Sequence, residues 1–177
     1  IVIGAGLSGV GTAVRLQRDC PDRDFILLER REAIGGTWDL FRYPGIRSDS
    51  DMHTLGYDFK PWEAEKTIAD GPSILSYVNE TADEYRIRER IRFSQKLIAA
   101  DWSSERSQWQ LTVETPDGIR RYRCGFLMMC AGYYSYDQGY EPEFERKASF
   151  SGEWVHPQFW PENLDHTDKT CLLYTSD

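Results

Sequence analysis

The chain has 177 residues, 40% of them hydrophobic and 28% charged, which is typical of one globular domain, either alone or with part of a second one. Its net charge of −8 argues against a nucleic-acid surface, which needs a basic stripe, and no apolar run reaches membrane-spanning length. The four cysteines and three histidines show neither CxxC nor zinc-ligand spacing. We therefore expect no metal site and a reducing, cytoplasmic location.

The chain opens with the pattern of a strand, a glycine turn, a helix and a second strand. The first strand ends at Gly4, and we expect it to begin upstream of Ile1. Apolar residues then recur at helical spacing, and the helix should end before Pro21 because proline disfavours helical conformation in the residue before it. The second strand, 25–28, leads directly into Glu29. Such a βαβ unit predicts parallel strands.

The rest of the chain predicts a long loop, a helix and a set of strands. Segment 33–72 lacks a regular period and is rich in Gly, Pro, Asp and aromatic residues, which is typical of a functional loop. The next helix should bury Ile74, Leu75, Val78 and Ala82. Alternating segments predict strands at 91–97, 98–102, 109–114 and 120–124. Asp117-Gly118 predicts a hairpin turn, and the apolar run 126–130 predicts a fully buried strand that returns to the parallel sheet. The expected fold is α/β, a Rossmann-like parallel sheet with an inserted antiparallel meander.

The GAGLSG stretch after the first strand is a GxGxxG pattern in the context that a dinucleotide site needs. Gly4 allows the tight turn, Gly6 the close approach of a pyrophosphate, and Gly9 the packing of helix on strand. The helix N-terminus adds unpaired N–H groups for the phosphates. Glu29 lies twenty residues after Gly9, where a carboxylate accepts hydrogen bonds from ribose hydroxyls.

The identity of the dinucleotide depends on two further features. The acidic Glu29 disfavours a 2′-phosphate, which leaves FAD and NAD as candidates. A second glycine pair, Gly35-Gly36, follows the second strand, where many flavoproteins contact the flavin's pyrophosphate or ribityl chain. The inserted meander is also more typical of FAD-binding than of NAD-binding domains. Together these features favour FAD.

Three stretches carry a resemblance to a known family: GGTW at 35–38, RYPG at 42–45 and FSGEWVHPQFWP at 150–161. The last matches the Baeyer–Villiger monooxygenase fingerprint at every defined position, through Phe150, Gly152, His156, Trp160 and Pro161. The chain resembles class B flavoprotein monooxygenases from residue 1 to about residue 169, and within them the ethionamide-activating type. The resemblance implies FAD and NADPH as cofactors and O2 as co-substrate. It also implies oxygen insertion into a small ketone, or oxidation of a sulfur compound.

The resemblance implies roles for individual residues as well. The glycines of GAGLSG and Ser8 would hold the FAD pyrophosphate, and Glu29 the adenosine ribose. Asp49 would lie near the flavin ring and orient a catalytic arginine, which makes it the catalytic candidate. Leu97 takes the place of a residue whose backbone contacts the adenine. The flavin and the nicotinamide would be bordered by Gly36, Thr37, Trp38, Asp39, Leu40, Arg47, Ser48 and Asp49.

The same resemblance implies a division of the chain into domains. It implies an FAD-binding domain at 1–149 and an interdomain linker at 150–169, in which His156 would hydrogen-bond across the junction as NADP binds. We expect 170–177 to be a non-native tail, because CLLYTSD is also the translation of TGTCTCTTATACACATCTGAC, which resembles a sequencing-library adapter. The NADP domain and the catalytic arginine would then lie outside the chain, and the chain alone would be inactive.

Two other interpretations stay open. A flavin monooxygenase that oxygenates amines or sulfides carries a related fingerprint without the Trp-Pro ending, so Trp160-Pro161 favours the Baeyer–Villiger type. A non-catalytic FAD-binding module would hold flavin without oxidising NADPH. Neither nucleic acid nor a metal ion is expected as a partner.

Overall fold

The predicted βαβ unit is present in the computed structural model, which describes residues 1–172. Strand β1 (Val2–Ile3) leads into helix α1 (Leu7–Asp19), and strand β2 (Leu27–Leu28) follows. The helix ends before Pro21, as predicted. Val2 pairs with Leu27 in parallel register.

A parallel sheet is built around this unit. Strand β3 (Ile91–Arg92) pairs with β2, and strand β7 (Met128–Met129) pairs with β1, both in parallel. The strand order is β3-β2-β1-β7. The Rossmann-like fold class is therefore confirmed.

The inserted meander is a separate three-stranded antiparallel sheet. It comprises β4 (Lys96–Ser103), β5 (Gln108–Thr115) and β6 (Gly118–Cys124), in that spatial order. The predicted hairpin is present, but its turn residues are Pro116 and Asp117, one position earlier than predicted. Gly118 begins β6 with a φ of +112°, which a glycine adopts without strain. The division into strands at 91–97 and 98–102 was wrong. The chain instead leaves the parallel sheet after Arg92 and enters the meander at Lys96.

The long segment 33–72 contains two short helices, α2 (Thr37–Leu40) and α3 (Met52–Leu55). Helix α4 (Gly71–Glu84) follows, and single 3-10 turns lie at Ile87–Arg90, Lys147–Ser149 and Pro157–Phe159. Asp51 and Asp70 cap α3 and α4 by accepting N–H groups of the first turn.

The core has two parts, one on each face of the parallel sheet. Helices α1 and α4 pack against one face, where Val10, Ile74 and Val78 are fully buried. The meander covers the other face through Leu111 and Val113. The predicted buried face of α4 needs one correction: Leu75 is half-buried, and Tyr77 lies in the core instead. Leu75 instead packs against Gly35.

The return strand also differs from its prediction. The run 126–130 was expected to be fully buried, but Phe126 is 82% exposed and Met129 is 60% exposed. The reason is its place in the sheet: β7 is an edge strand of the described sheet and pairs only with β1. Cys130 is half-buried rather than buried.

Two further properties concern the helices and the cysteines of the described residues. Within 1–172, no helix combines the length and apolarity that crossing a bilayer requires. Cys20, Cys124, Cys130 and Cys171 all carry free thiols.

The cap of α4 gives a first testable prediction. Asp70 accepts the Ser73 hydroxyl and the Ser73 N–H and pairs with Lys66, which lowers the pKa of its carboxyl from 3.8 to about 2. Because the pKa is lower in the folded chain, this contribution to stability is complete above the unfolded value and is lost as the pH falls from about 4 to about 2. We expect Asp70→Ala to lower the melting temperature by several degrees at pH 7 and by less at pH 2. Thermal unfolding monitored by circular dichroism tests this, with Asp22→Ala, an exposed non-capping aspartate, as control. Equal losses at both pH values would contradict it.

Candidate dinucleotide-binding site

The glycine turn joins β1 to α1 with backbones in direct contact. A Cβ atom on Gly9 would lie 2.0 Å from the carbonyl oxygen of Gly4, so only glycine allows this approach. Gly6 is the N-cap of α1 and contributes no side-chain acceptor, and the first turn contains no acidic side chain. The free N–H groups and the positive dipole end of this 13-residue helix are therefore open to an anionic group.

Glu29 follows β2 directly and binds the backbone of the glycine turn between β1 and α1. Its side chain is buried, with 4% of the residue exposed, and its two carboxylate oxygens accept the N–H groups of Ala5 at 2.7 Å and Arg31 at 2.8 Å. Each oxygen keeps a second lone pair. The carboxylate thus fixes the glycine turn and can still accept a hydroxyl group.

The second glycine pair is docked on the first. The N–H of Gly35 donates to the carbonyl of Ala5 at 3.1 Å. Gly36 lies against Gly6, because a Cβ on Gly36 would be 3.1 Å from the Gly6 Cα. Two stretches that are thirty residues apart in the sequence thus form one narrow, backbone-lined wall.

Helix α2 carries the residues expected to border the flavin. Thr37, Trp38 and Leu40 are half-buried. Asp39 is 7% exposed, and its carboxylate pairs with Arg31 at 2.6 Å and with Arg42 at 3.1 Å. The contact from Arg31 is charge pairing without hydrogen-bond alignment, since Oδ2 has no hydrogen-bond partner among the described residues. Asp39 therefore holds two guanidinium groups beside the second glycine pair.

The stretch 47–49 is mostly exposed and runs beside the start of α4, where the N–H of Ser48 donates to the Ala69 carbonyl at 2.9 Å. Ser48 is buried, and its hydroxyl donates to the carbonyl of Ser50 at 2.6 Å while accepting the Ser50 N–H. Arg47 and Asp49 are exposed. Within residues 1–172 no arginine forms an ion pair with Asp49.

Leu97 lies on the meander side of the parallel sheet. It is half-buried in β4 and packs with Ile3 and Leu28 in the core under the meander. A bulge between Leu97 and Ala99 interrupts the pairing of β4 with β5. The backbone of Leu97 is thus irregular where the resemblance implies an adenine contact.

The fingerprint residues of 150–161 form two aromatic packing contacts and one hydrogen-bonded turn. The ring of Phe150 folds over Gly152, where a Cβ would lie 2.5 Å from a ring carbon. Trp160 packs edge-on against His166, with ring centroids 6.2 Å apart, and Pro161 is exposed. The Nδ1 of His156 accepts the Gln158 N–H at 3.2 Å, and its Nε2 lies 3.2 Å from the Tyr140 carbonyl. Because Nδ1 is the acceptor, the proton is on Nε2, which donates to Tyr140.

One group of residues near the site was not predicted from the sequence. Tyr136 and Asp137 follow the return strand and lie against Arg30 and Arg31, beside Glu29. The stretch YYSYD after Gly132 has three tyrosines and an aspartate in five residues, which is unusual for a loop. This composition is the sequence signal that could have predicted a contact with the site.

Comparisons with known proteins agree with this geometry. The family model of an NAD(P)-binding Rossmann-like domain matches residues 2–64. The FAD-containing monooxygenase EthA of Mycolicibacterium smegmatis is 51% identical over 99% of this chain and 36% of its own length. The probable FAD-binding monooxygenase AlmA of an Acinetobacter species is 46% identical over the same shares.

Solved structures give the same result. The complex of OTEMO with FAD and NADP matches 90% of this chain and 30% of its own with a TM-score of 0.73 and 32% identity. Steroid monooxygenase bound to NADP matches 91% of this chain and 30% of its own with a TM-score of 0.73 and 31% identity. Cyclohexanone monooxygenase from Rhodococcus sp. Phi1 matches 93% of this chain and 31% of its own with a TM-score of 0.74 and 26% identity.

The resemblance recognised in the glycine and fingerprint motifs is therefore confirmed. The chain spans about a third of the length of the curated relatives it matches. Over that third, its sequence is similar to FAD-containing monooxygenases, and its fold is similar to those of OTEMO and cyclohexanone monooxygenase.

Proposed function

We propose that this chain binds FAD in the cleft formed by the two glycine turns and Glu29. The observation that carries the proposal is the docking of Gly36 on Gly6, which builds one backbone-lined wall between the N-terminus of α1 and helix α2. A pyrophosphate needs a surface of this kind, with free N–H groups and without side chains.

The residues present fit FAD better than NADPH. The buried Glu29 carboxylate can accept a ribose hydroxyl but would repel a 2′-phosphate. Arg31 and Arg42, held by Asp39, place positive charge beside the second glycine pair. The cofactor contacts proposed for this chain are those implied by the resemblance, from Gly4, Gly6, Ser8, Gly9, Glu29, Gly36, Thr37, Trp38, Asp39, Leu40, Arg47, Ser48, Asp49 and Leu97.

The natural protein that contains this sequence is proposed to be an FAD- and NADPH-dependent monooxygenase. FAD supplies the redox chemistry when bound, since it takes up reducing equivalents from NADPH and reacts with O2. The chain's own part is to hold the cofactor and to present Asp49, whose exposed carboxylate can orient an arginine contributed from outside residues 1–172. The proposed reaction is oxygen insertion into a ketone, or oxidation of a sulfur compound.

The division into an FAD domain at 1–149 and a linker at 150–169 is part of the proposal, as is the role of His156 in the linker. The prediction of a non-native tail concerns 170–177, of which 173–177 lie outside the described residues. A second candidate, an amine- or sulfide-oxygenating flavin monooxygenase, is disfavoured by the Trp160-Pro161 ending. The third candidate, an FAD-binding module without turnover, applies to the chain taken by itself.

The proposal is tested by flavin binding to the purified 177-residue chain. We expect FAD to bind with a dissociation constant on the order of 1 μM, measured by quenching of flavin fluorescence, and NADP to bind at least about tenfold more weakly at this site. We also expect no NADPH oxidation by the chain alone.

Three outcomes distinguish the candidates. A chain that retains no flavin after refolding with FAD would contradict FAD binding. NADPH oxidation by the chain alone would contradict its expected inactivity. In the natural protein, ester formation from a ketone supports the Baeyer–Villiger type, whereas exclusive oxygenation of amines supports the second candidate.

A further inference from the structure

Residues 135–140, which we call the strap, lie between the fingerprint and the proposed cofactor cleft. Tyr136 is half-buried, and its hydroxyl would be 3.6 Å from a Cβ on Gly36. The guanidinium groups of Arg30 and Arg31 lie 5.4 and 5.9 Å from its ring centroid. Burial, followed by the charge of Glu29, raises the pKa of the Tyr136 hydroxyl. The strap therefore reaches the cleft between Glu29 and the second glycine pair.

An ion-pair cluster fixes this end of the strap. Asp137 pairs with Arg30 and also with Lys96, at 3.1 Å. Both pairs are exposed to solvent, so each contributes little by itself. They connect the strap to the end of β2 and to the start of β4.

The fingerprint holds the other side of the strap through Gln158. The side-chain amide of Gln158 donates to the carbonyl oxygen of Ser135 at 2.8 Å, and the residue is 7% exposed. Gln158 is the buried residue of the stretch 150–161, whose defined fingerprint positions are half-buried or exposed. A buried amide with one well-placed acceptor is a specific and directional contact.

His156 completes the contact between fingerprint and strap. A Cβ on Gly139 would lie 2.3 Å from the imidazole ring, so the ring packs directly on the strap backbone. The same ring donates from Nε2 to the Tyr140 carbonyl and accepts the Gln158 N–H at Nδ1. His156 thereby orders the turn that points the Gln158 side chain at Ser135.

We propose that Gln158 is a positioning residue that holds the strap, and with it Tyr136, against the dinucleotide cleft. Occupancy of the cleft and the conformation of the fingerprint are then coupled through residues 135–140. Because such coupling is reciprocal, bound FAD also stabilises the contact of the strap with the fingerprint. This inference rests on the proposed binding of FAD.

The test is FAD binding to the 177-residue chain carrying Gln158→Met, which keeps the side-chain length and removes the amide donor. We expect the dissociation constant to rise about fivefold to tenfold, because the strap loses its buried hydrogen bond. The matched control is Gln17→Met, which removes an amide donor to the Tyr85 carbonyl at 3.0 Å, far along α1, and should leave FAD affinity within about twofold of the parent chain.

A double variant separates positioning from a general loss of stability. Tyr136→Phe alone should weaken FAD binding severalfold, and Gln158→Met should then add little, because both changes act through the strap. The proposal would be overturned if the fold increase in the FAD dissociation constant of the double variant equalled the product of the two single increases. An unchanged dissociation constant in Gln158→Met would also overturn it. If Gln158→Met fails to fold, Gln158→Asn, which keeps the amide but is one methylene too short to reach the Ser135 carbonyl, must itself weaken FAD binding, or the proposal is wrong. A parent chain that binds no FAD refutes the proposed function, and this inference with it.

Discussion

Gly9→Ala is expected to abolish measurable FAD binding and to lower the free energy of unfolding by about 3 kcal/mol. The added methyl group would lie 2.0 Å from the Gly4 carbonyl oxygen and 2.8 Å from its carbonyl carbon. Both atoms are backbone, so no side chain can rotate away to relieve the clash. Helix α1 must shift from β1, and its N-terminal N–H groups then no longer face the cleft.

Two measurements on this variant separate affinity from stability. Flavin fluorescence quenching gives the affinity, and urea unfolding of the flavin-free chain gives the stability. The matched control is Gly125→Ala, since a Cβ at Gly125 meets no atom within 4 Å and its backbone does not need glycine. Gly125→Ala should behave as the parent chain does. Parent-like FAD affinity in Gly9→Ala would show that the close contact of Gly9 with Gly4 is not needed for the cofactor site.

Glu29→Gln has the second largest expected effect. Both carboxylate oxygens of Glu29 accept backbone N–H groups, from Ala5 and Arg31, whereas a glutamine amide offers one oxygen and must turn its NH2 group toward a donor. One buried N–H then loses its partner, and the ribose loses a charged acceptor. We expect a loss of about 2 kcal/mol in stability and a rise of about 10-fold to 100-fold in the FAD dissociation constant.

The control for Glu29→Gln is Glu32→Gln, which makes the same change of charge at an exposed position three residues away. It should alter neither quantity by more than about 0.5 kcal/mol. If Glu32→Gln weakens FAD binding as strongly as Glu29→Gln, the effect arises from net charge, and the specific role of the buried carboxylate is refuted. If Glu29→Gln instead bound NADP more tightly than FAD in the same titration, the assignment of this cleft to FAD would also be refuted.

Local patterns in the sequence were sufficient to predict several features of the fold and of the site. The βαβ unit, the end of α1 before Pro21 and the hairpin between β5 and β6 follow from hydrophobic period and from the backbone limits of proline and glycine, which act within a few residues. The GxGxxG motif and its spacing to Glu29 predicted a dinucleotide site, because they too are local sequence patterns. The resemblance of residues 150–161 to the monooxygenase fingerprint was likewise recognisable from the residue types and their spacing.

Contacts between distant segments could not be predicted from such local patterns. The docking of Gly36 on Gly6 and the contact of Tyr136 with Arg30 join stretches separated by thirty and about one hundred residues, and no local period encodes such pairings. The strand predicted in 126–130 does return to the parallel sheet, but its predicted burial was wrong. An apolar run indicates hydrophobicity, whereas exposure depends on whether another element covers the strand. Burial is a property of packing between elements, so Gln158 became a candidate only when its amide was found enclosed against Ser135.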